Sequence, residues 1–224
     1  MSCPLCHSNN VFLFHDMVFY RCKVCDLVFK DPKIWPSKQE EYQRYLQHKN
    51  SLDDVRCRDF FMRLVTPLIK CLKKGMKGLD YGSGPAPLLA TLIKEFEFDC
   101  ESYDPYFLDD KDLLLKKYDF ITCCEVVEHF HDPANEIKKL RKLLNKGGVL
   151  AIMTNMVPQD FATWWYHKDP THVVFYSVNT FKWIVDNCGF YFALETSADS
   201  EDIACKLLAL DLSKDASIVL LIAS

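Results

Sequence analysis

The stretch "EVVEHFHDP", residues 125–133, gathers two glutamates and two histidines directly behind the apolar run "FITCC". Read as the first turn of a helix, it sets Glu125, Glu128 and His129 at i, i+3 and i+4, on one face. Two carboxylates and an imidazole so placed can hold a divalent ion such as Mg2+ or Mn2+. The same residues allow a plainer reading, in which the acids favour a helix N-terminus and His129 bonds the loop or serves as a general base. His131 is peripheral either way, and Asp132 suits an N-cap ahead of Pro133. A second set is "WWYHKDPTH", residues 164–172. There Trp164, Trp165 and Tyr166 offer flat apolar area, while His167, Asp169 and His172 offer polar groups. That mixture suits a small-molecule pocket with His172 as a base, or else core aromatics beside a turn at Asp169-Pro170.

The cysteines form a third set. "CPLC" and "CKVC" give C-x2-C-x15-C-x2-C, and four thiolates at this spacing (Cys3, Cys6, Cys22, Cys25) suit tetrahedral zinc. Such an ion is structural, because four sulfurs leave no open coordination position; His7, next to a knuckle, is not needed. The intervening "VFLFHDMVFYR" predicts two short strands joined by a turn at His15-Asp16. A ribbon over residues 1–35 cannot bury enough surface alone, so the metal supplies much of its stability.

Around these sets, 224 residues with 49% hydrophobic and 26% charged content suffice for one ordinary domain beside the ribbon. A net charge of −4 argues against a nucleic-acid partner. The basic "KKLRKLLNK" at 138–146 reads as a solvated helix face. No run reaches membrane-span length and the N-terminus lacks a secretory layout, which predicts a cytoplasmic protein with reduced cysteines. Prolines 32 and 36 mark a boundary to a helical connector, 36–75, with helices over 37–49 and 53–74 and Pro67 kinking the second. Tyr42 and Tyr45 of the first helix are packing residues or cofactor contacts.

From Lys77 strands and helices alternate: "KGLDYGSG", "PLLATLIKEF", "DCESYDP", "YDFITCCEV", then "DPANEIKKLRKLLN" stopped by Gly147-Gly148, "VLAIMTN", and "VNTFKWIVDNCG". Two or more strands complete the chain. The rhythm predicts an α/β fold over 76–224, a doubly wound and mainly parallel sheet whose ligand binds at the carboxyl ends of its strands. Gly82 and Gly84 fall at that edge, and Asp104, twenty residues beyond Gly84, ends the next strand, where an acid binds a ribose diol. An NAD fingerprint lacks its third glycine, since Pro87 stands there.

"LDYGSG", with its acid ahead of the glycines, resembles the first motif of class I S-adenosylmethionine-dependent methyltransferases. "ESYDP" resembles their second acidic motif, "YDFITCCEVVEHFHDP" the segment flanking the methionine part of the cofactor, and "LLNKGGVLAIMT" their fifth strand. The resemblance covers most of 76–192. It implies that Asp80, Gly82, Ser83 and Gly84 surround the cofactor's amino-acid part, that Asp104 binds its ribose, and that Cys124 and Glu125 lie at the methyl-donor end. Cys123 reads as core. The loop after Asp104 is too short for the usual adenine-side acid; Asp109, Asp110 and Asp112 are the substitutes at hand. E-x-x-E-H also resembles the metal-binding motif of small-RNA 3′-terminal 2′-O-methyltransferases and ubiquinone-pathway O-methyltransferases. That implies a possible second divalent site at Glu125, Glu128 and His129, with His172 as a further ligand. The leading expectation is methyl transfer to a small molecule or metabolite, at oxygen, with His129, His172 and His167 as catalytic candidates. The alternative is a catalytically silent cofactor-fold protein that mediates protein assembly through its ribbon.

Overall fold

The computed structural model describes residues 1–47, 51–193 and 217–224. β1 (Val11–His15) and β2 (Phe19–Cys22) pair antiparallel across a turn where Asp16 and Met17 take positive φ, and β2 pairs with β3 (Val28–Lys30). The knuckles meet beside this sheet. Cys3 Sγ lies 3.4 Å from Cys25 Sγ, and Cys6 Sγ lies 3.4 Å from Cys22 Sγ. All four sulfurs fall within 4.8 Å of one another, and none is in a disulfide.

α1 (Lys38–Tyr45) starts at a capping box, with Ser37 and Glu40 satisfying each other's backbone N–H. α2 (Val55–Cys71) accommodates Pro67 and turns Leu64, Val65 and Leu68 inward. Both helices are shorter than the sequence predicts, and residues 48–49 of the first expectation lie outside the described residues.

β4 (Lys77–Tyr81), α3 (Leu88–Lys94), β5 (Asp99–Tyr103), β6 (Tyr118–Cys124), α4 (Pro133–Leu143) and β7 (Leu144–Thr154) follow in the expected order. The predicted helix ran to Asn145 and ended at the glycines. Instead α4 stops at Leu143, and Gly147, at φ 74°, lies in a register shift between the pairs Tyr118↔Leu144 and Phe120↔Val149. β8 (Val174–Phe175), α5 (Val178–Cys188), β9 (Phe190–Phe192) and β10 (Ser217–Ala223) complete the described elements. α5 ends in Gly189 at φ 75°, the left-handed residue a helix C-terminus favours.

Six strands run in the order β5-β4-β6-β7-β10-β9, with β5, β4, β6 and β7 parallel and β10 antiparallel to both neighbours. On one face α2 and α3 pack Leu64, Leu68, Leu89 and Leu92 against Phe120, Ala151 and Met153. On the other, α4 and α5 pack Ile137, Leu140, Phe181 and Ile184 against Ile121, Cys123 and Ile152. Each such buried side chain contributes about 1.5–3 kcal/mol. β4 leads to β5 on one side and to β6 on the other, so the switch point where ligands bind lies between the ends of β4 and β6. β8 joins neither strand; it pairs with β3 and makes the ribbon sheet four-stranded. Among the described residues no helix is long and apolar enough to cross a membrane.

Candidate active site

At the switch point the chain leaves β4 through Gly82 and Gly84, at φ 81° and 69°. A Cβ on Gly82 would meet Val126 at 2.6 Å, whereas one on Gly84 would point into open space. Gly82 N and Ser83 N both donate to Tyr103 O, at 2.8 and 3.1 Å. Asp104 then ties two loops together. Its Oδ2 accepts Gly84 N at 2.9 Å, and its Oδ1 accepts Tyr106 N at 2.8 Å and Phe107 N at 3.1 Å. Asp80 is buried beneath the loop; burial pushes its carboxyl up to about 7 despite the 2.9 Å hydrogen bond from Thr122.

A cleft of about 820 Å³ opens here, within the range of small-molecule sites. Asp80, Gly82, Ser83, Gly84, Asp104, Cys124 and Glu125 all line it, which is the set expected around the cofactor. Asp109, Asp110 and Asp112 do not: Asp109 accepts from Tyr103 Oη, and Asp110 caps the turn Lys111–Leu115 through Asp112 N. Carboxylates outnumber cationic groups in the lining, so the cleft suits a ligand with positive charge. Glu125 Oε1 is buried with no hydrogen-bond partner.

Beyond β6 the predicted helix does not form. Glu125 sits at φ 53°, a strained value for a non-glycine residue, and only a single 3-10 turn, Val127–His129, follows. The register of one helical face is therefore lost, and Glu125 falls outside the group it was expected to join. Glu128, His129 and His172 instead bring a carboxylate oxygen and two imidazole nitrogens within 4.8 Å of one another. His129 Nδ1 lies 2.8 Å from Thr171 O and His172 Nδ1 lies 2.9 Å from Tyr166 O. A carbonyl only accepts, so both Nδ1 atoms carry hydrogen, and a neutral ring then presents its lone pair at Nε2. Burial, and then the neighbouring His129, push His172 down to about 3, which keeps it neutral.

Tyr166 joins the two glutamates. Its hydroxyl lies 2.9 Å from Glu125 Oε2 and 2.5 Å from Glu128 Oε1, and Thr154 Oγ1 donates to Glu128 Oε2 at 3.0 Å. One hydroxyl hydrogen serves only one carboxylate, so the other bond requires a protonated carboxyl donating to Tyr166 Oη. Burial, with Glu125 adding to it for Glu128, pushes both glutamates up to about 7, in agreement. A cation beside Glu128 would displace that shared proton.

α1 covers the cleft. Glu41, 4% exposed, accepts from Tyr106 Oη at 2.5 Å and from His131 Nε2 at 3.1 Å. Arg44 donates to Asp169 Oδ2 at 2.6 Å, and Tyr45 stands edge-on to His129 with ring centroids 5.3 Å apart. Asp169 also forms the anticipated turn, accepting Thr171 N at 3.0 Å. Tyr42 stacks on Phe107 and lies outside the lining. His167 does not reach the cleft. It points to the ribbon, stacked on Phe161 at 4.7 Å and edge-on to Phe19, because the turn Trp165–Lys168 sends it opposite to Tyr166. Glu41, Tyr106 and Thr154 were not found from the sequence. Glu41 sits in the charged run "KQEEYQR", which gives no sign that one acid is buried.

Residues 42–194 match a family described as a methyltransferase domain. A SAM-dependent methyltransferase from Archaeoglobus fulgidus aligns with TM-score 0.50 and 16% identity, covering 83% of this chain and 100% of that one. The Haloferax volcanii Trm112 methyltransferase activator in complex with a chain assigned as a methyltransferase gives TM-score 0.51 and 12% identity, covering 84% and 99%. At these identities both are likenesses of fold. No curated protein matches the sequence.

Proposed function

The chain belongs to the methyltransferase-domain family, an S-adenosylmethionine-dependent enzyme class, and on that premise we propose that it methylates an oxygen of a small molecule with neighbouring oxygen donors. In this reading one divalent ion, Mg2+ or Mn2+, sits between Glu128, His129 and His172, and the four ribbon cysteines hold one structural zinc. The observation that carries the proposal is the meeting of Glu128, His129 and His172, whose ligand atoms lie within 4.8 Å of one another beside the cleft that both histidines line, each imidazole held by an Nδ1 bond to a backbone carbonyl.

The residues fit both groups. Four sulfurs around one zinc at about 2.3 Å would stand some 3.8 Å apart, close to the spacing here. S-adenosylmethionine would supply a methyl on a sulfonium, and the divalent ion would lower the pKa of an acceptor hydroxyl. The protein's own part is alignment. Gly84 leaves open space for a ligand against backbone while Gly82 admits Val126 beneath the turn, and Asp104 holds that loop to the loop after β5 with one lone pair left for a ribose. Glu125 Oε1 is free to accept a hydrogen bond from the cofactor or acceptor. Tyr45 of α1 and Tyr166 line the cleft and would orient the reacting groups, which accounts for much of the acceleration in an in-line displacement. The test is transfer of labelled methyl from S-adenosylmethionine to a panel of catechols and vicinal diols. Turnover should need Mg2+ or Mn2+ under chelation mild enough to spare the ribbon zinc, and should fall sharply in His172→Ala. Turnover indifferent to both would refute the divalent-ion reading.

A further inference from the structure

The ribbon's polar and backbone groups near its second knuckle are spent on one distant segment, residues 169–177, which carries His172. β3 pairs with β8 through Val28↔Phe175 and Phe29↔Val174, and Lys30 N donates to Val173 O at 2.9 Å. Lys30 Nζ, on a largely buried side chain, donates to Asp169 O at 2.6 Å. Asp26, the residue after Cys25, accepts from Ser177 Oγ at 2.6 Å and is itself gripped by Arg21 at 2.7 and 3.0 Å. These anchors bracket His172 on both sides, at 169, 173–175 and 177. Val173 N donates to Glu128 O at 2.9 Å, so the clamped segment is also registered against the turn bearing Glu128 and His129.

We infer that the cysteine ribbon is a positioning module for the active site: Asp26 and Lys30 hold segment 169–177 so that His172 meets Glu128 and His129. The inference rests on the divalent-ion reading for what His172 does there, but the clamp itself is independent of it. A four-cysteine site makes the clamp rigid because the two knuckles cannot separate. Neither Asp26 nor Lys30 reaches the cleft; both act through the segment they hold.

The test uses the full-length, zinc-loaded chain and the variants Lys30→Met, Asp26→Gly and their combination. Asp26 has φ 63°, so glycine removes the side chain without backbone strain, and Asp26→Asn keeps an acceptor for Ser177. Lys30→Met keeps most of the buried stem. Zinc content and affinity for S-adenosylhomocysteine should stay at the parent's values. Mn2+ affinity, followed by electron paramagnetic resonance, should fall roughly 10–100-fold, as for losses behind a metal's direct ligands. Asp26→Asn should retain most of the affinity that Asp26→Gly loses, and amide exchange across 169–177 should quicken in the combined variant. Parent-like Mn2+ affinity in the combined variant would overturn the inference. A parent that binds no Mn2+ would refute the divalent-ion reading instead. In that case exchange decides: faster exchange at 169–177 upholds the clamp, and unchanged exchange overturns it.

Discussion

Tyr166→Phe removes one oxygen from the centre of the site and leaves the packing in place. The ring is 1% exposed, with its centroid 4.1 Å from that of His172 and 5.1 Å from Trp164, contacts that phenylalanine keeps. What disappears is the bridge between Glu125 and Glu128. A hydrogen bond to a charged buried group is worth about 1.5–3 kcal/mol, so through the bond the hydroxyl donates, and before the one it accepts is counted, the ion-free protein should lose at least about that much stability. For a chain of this size about 2–4 °C of melting temperature follows each kcal/mol, giving a drop of roughly 3–12 °C. Part of the drop should return with Mn2+, because a cation at Glu128 compensates the carboxylates that the phenol had bridged. Thermal unfolding followed by circular dichroism, with and without Mn2+, measures both. An unchanged melting temperature in the ion-free variant would refute the shared-proton bridge. A drop that Mn2+ leaves untouched would mean that the ion does not bind beside Glu128.

The other predictions concern the parts around this centre. Asp104→Ala should weaken S-adenosylmethionine binding by on the order of 1.5–3 kcal/mol in calorimetry and loosen both loops that its carboxylate holds; unchanged affinity would mean that neither the ribose nor the loop depends on it. Cys22→Ser should lose zinc by metal analysis and make the N-terminal region protease-sensitive, whereas a full zinc equivalent would contradict the four-cysteine assignment. For Asp169, burial opposes ionisation, but donors from Arg44 and Thr171 outweigh it and hold the carboxyl well below the usual range. A depressed carboxylate stabilises the fold above its unfolded-state pKa and loses that contribution as pH falls through the folded one. The wild type should thus exceed Arg44→Met by up to about 1 kcal/mol at neutral pH, since the pair is partly exposed, with the gap closing in acid. A gap independent of pH would show that the helix cover does not depend on this ion pair.

The features read correctly from sequence are those whose determinants are local. C-x2-C spacing brings each knuckle's sulfurs together, and a strand followed by Gly82 and Gly84, with Asp104 after the next strand, lies at the carboxyl edge of the parallel sheet, where the cleft opens. Helical periodicity failed at Glu125, because the chain turns through φ 53° there and two glutamates meet across Tyr166 rather than along a helix face. His167 and His172 could not be told apart in a stretch without periodicity; which one enters the cleft depends on the turn Trp165–Lys168 and on β8, a strand of two residues recruited by the ribbon. Glu41 was invisible for a similar reason. Its burial comes from Tyr106 and His131, which lie 65 and 90 positions away.

Crystals grown with S-adenosylhomocysteine and Mn2+, with anomalous scattering recorded at the manganese edge, put the central proposal to its most direct trial. The prediction is one anomalous peak bounded by Glu128, His129 Nε2 and His172 Nε2, with the cofactor's sulfur facing it across the cleft and its ribose at Asp104. Cofactor bound in the cleft with no manganese at those three residues would contradict the account.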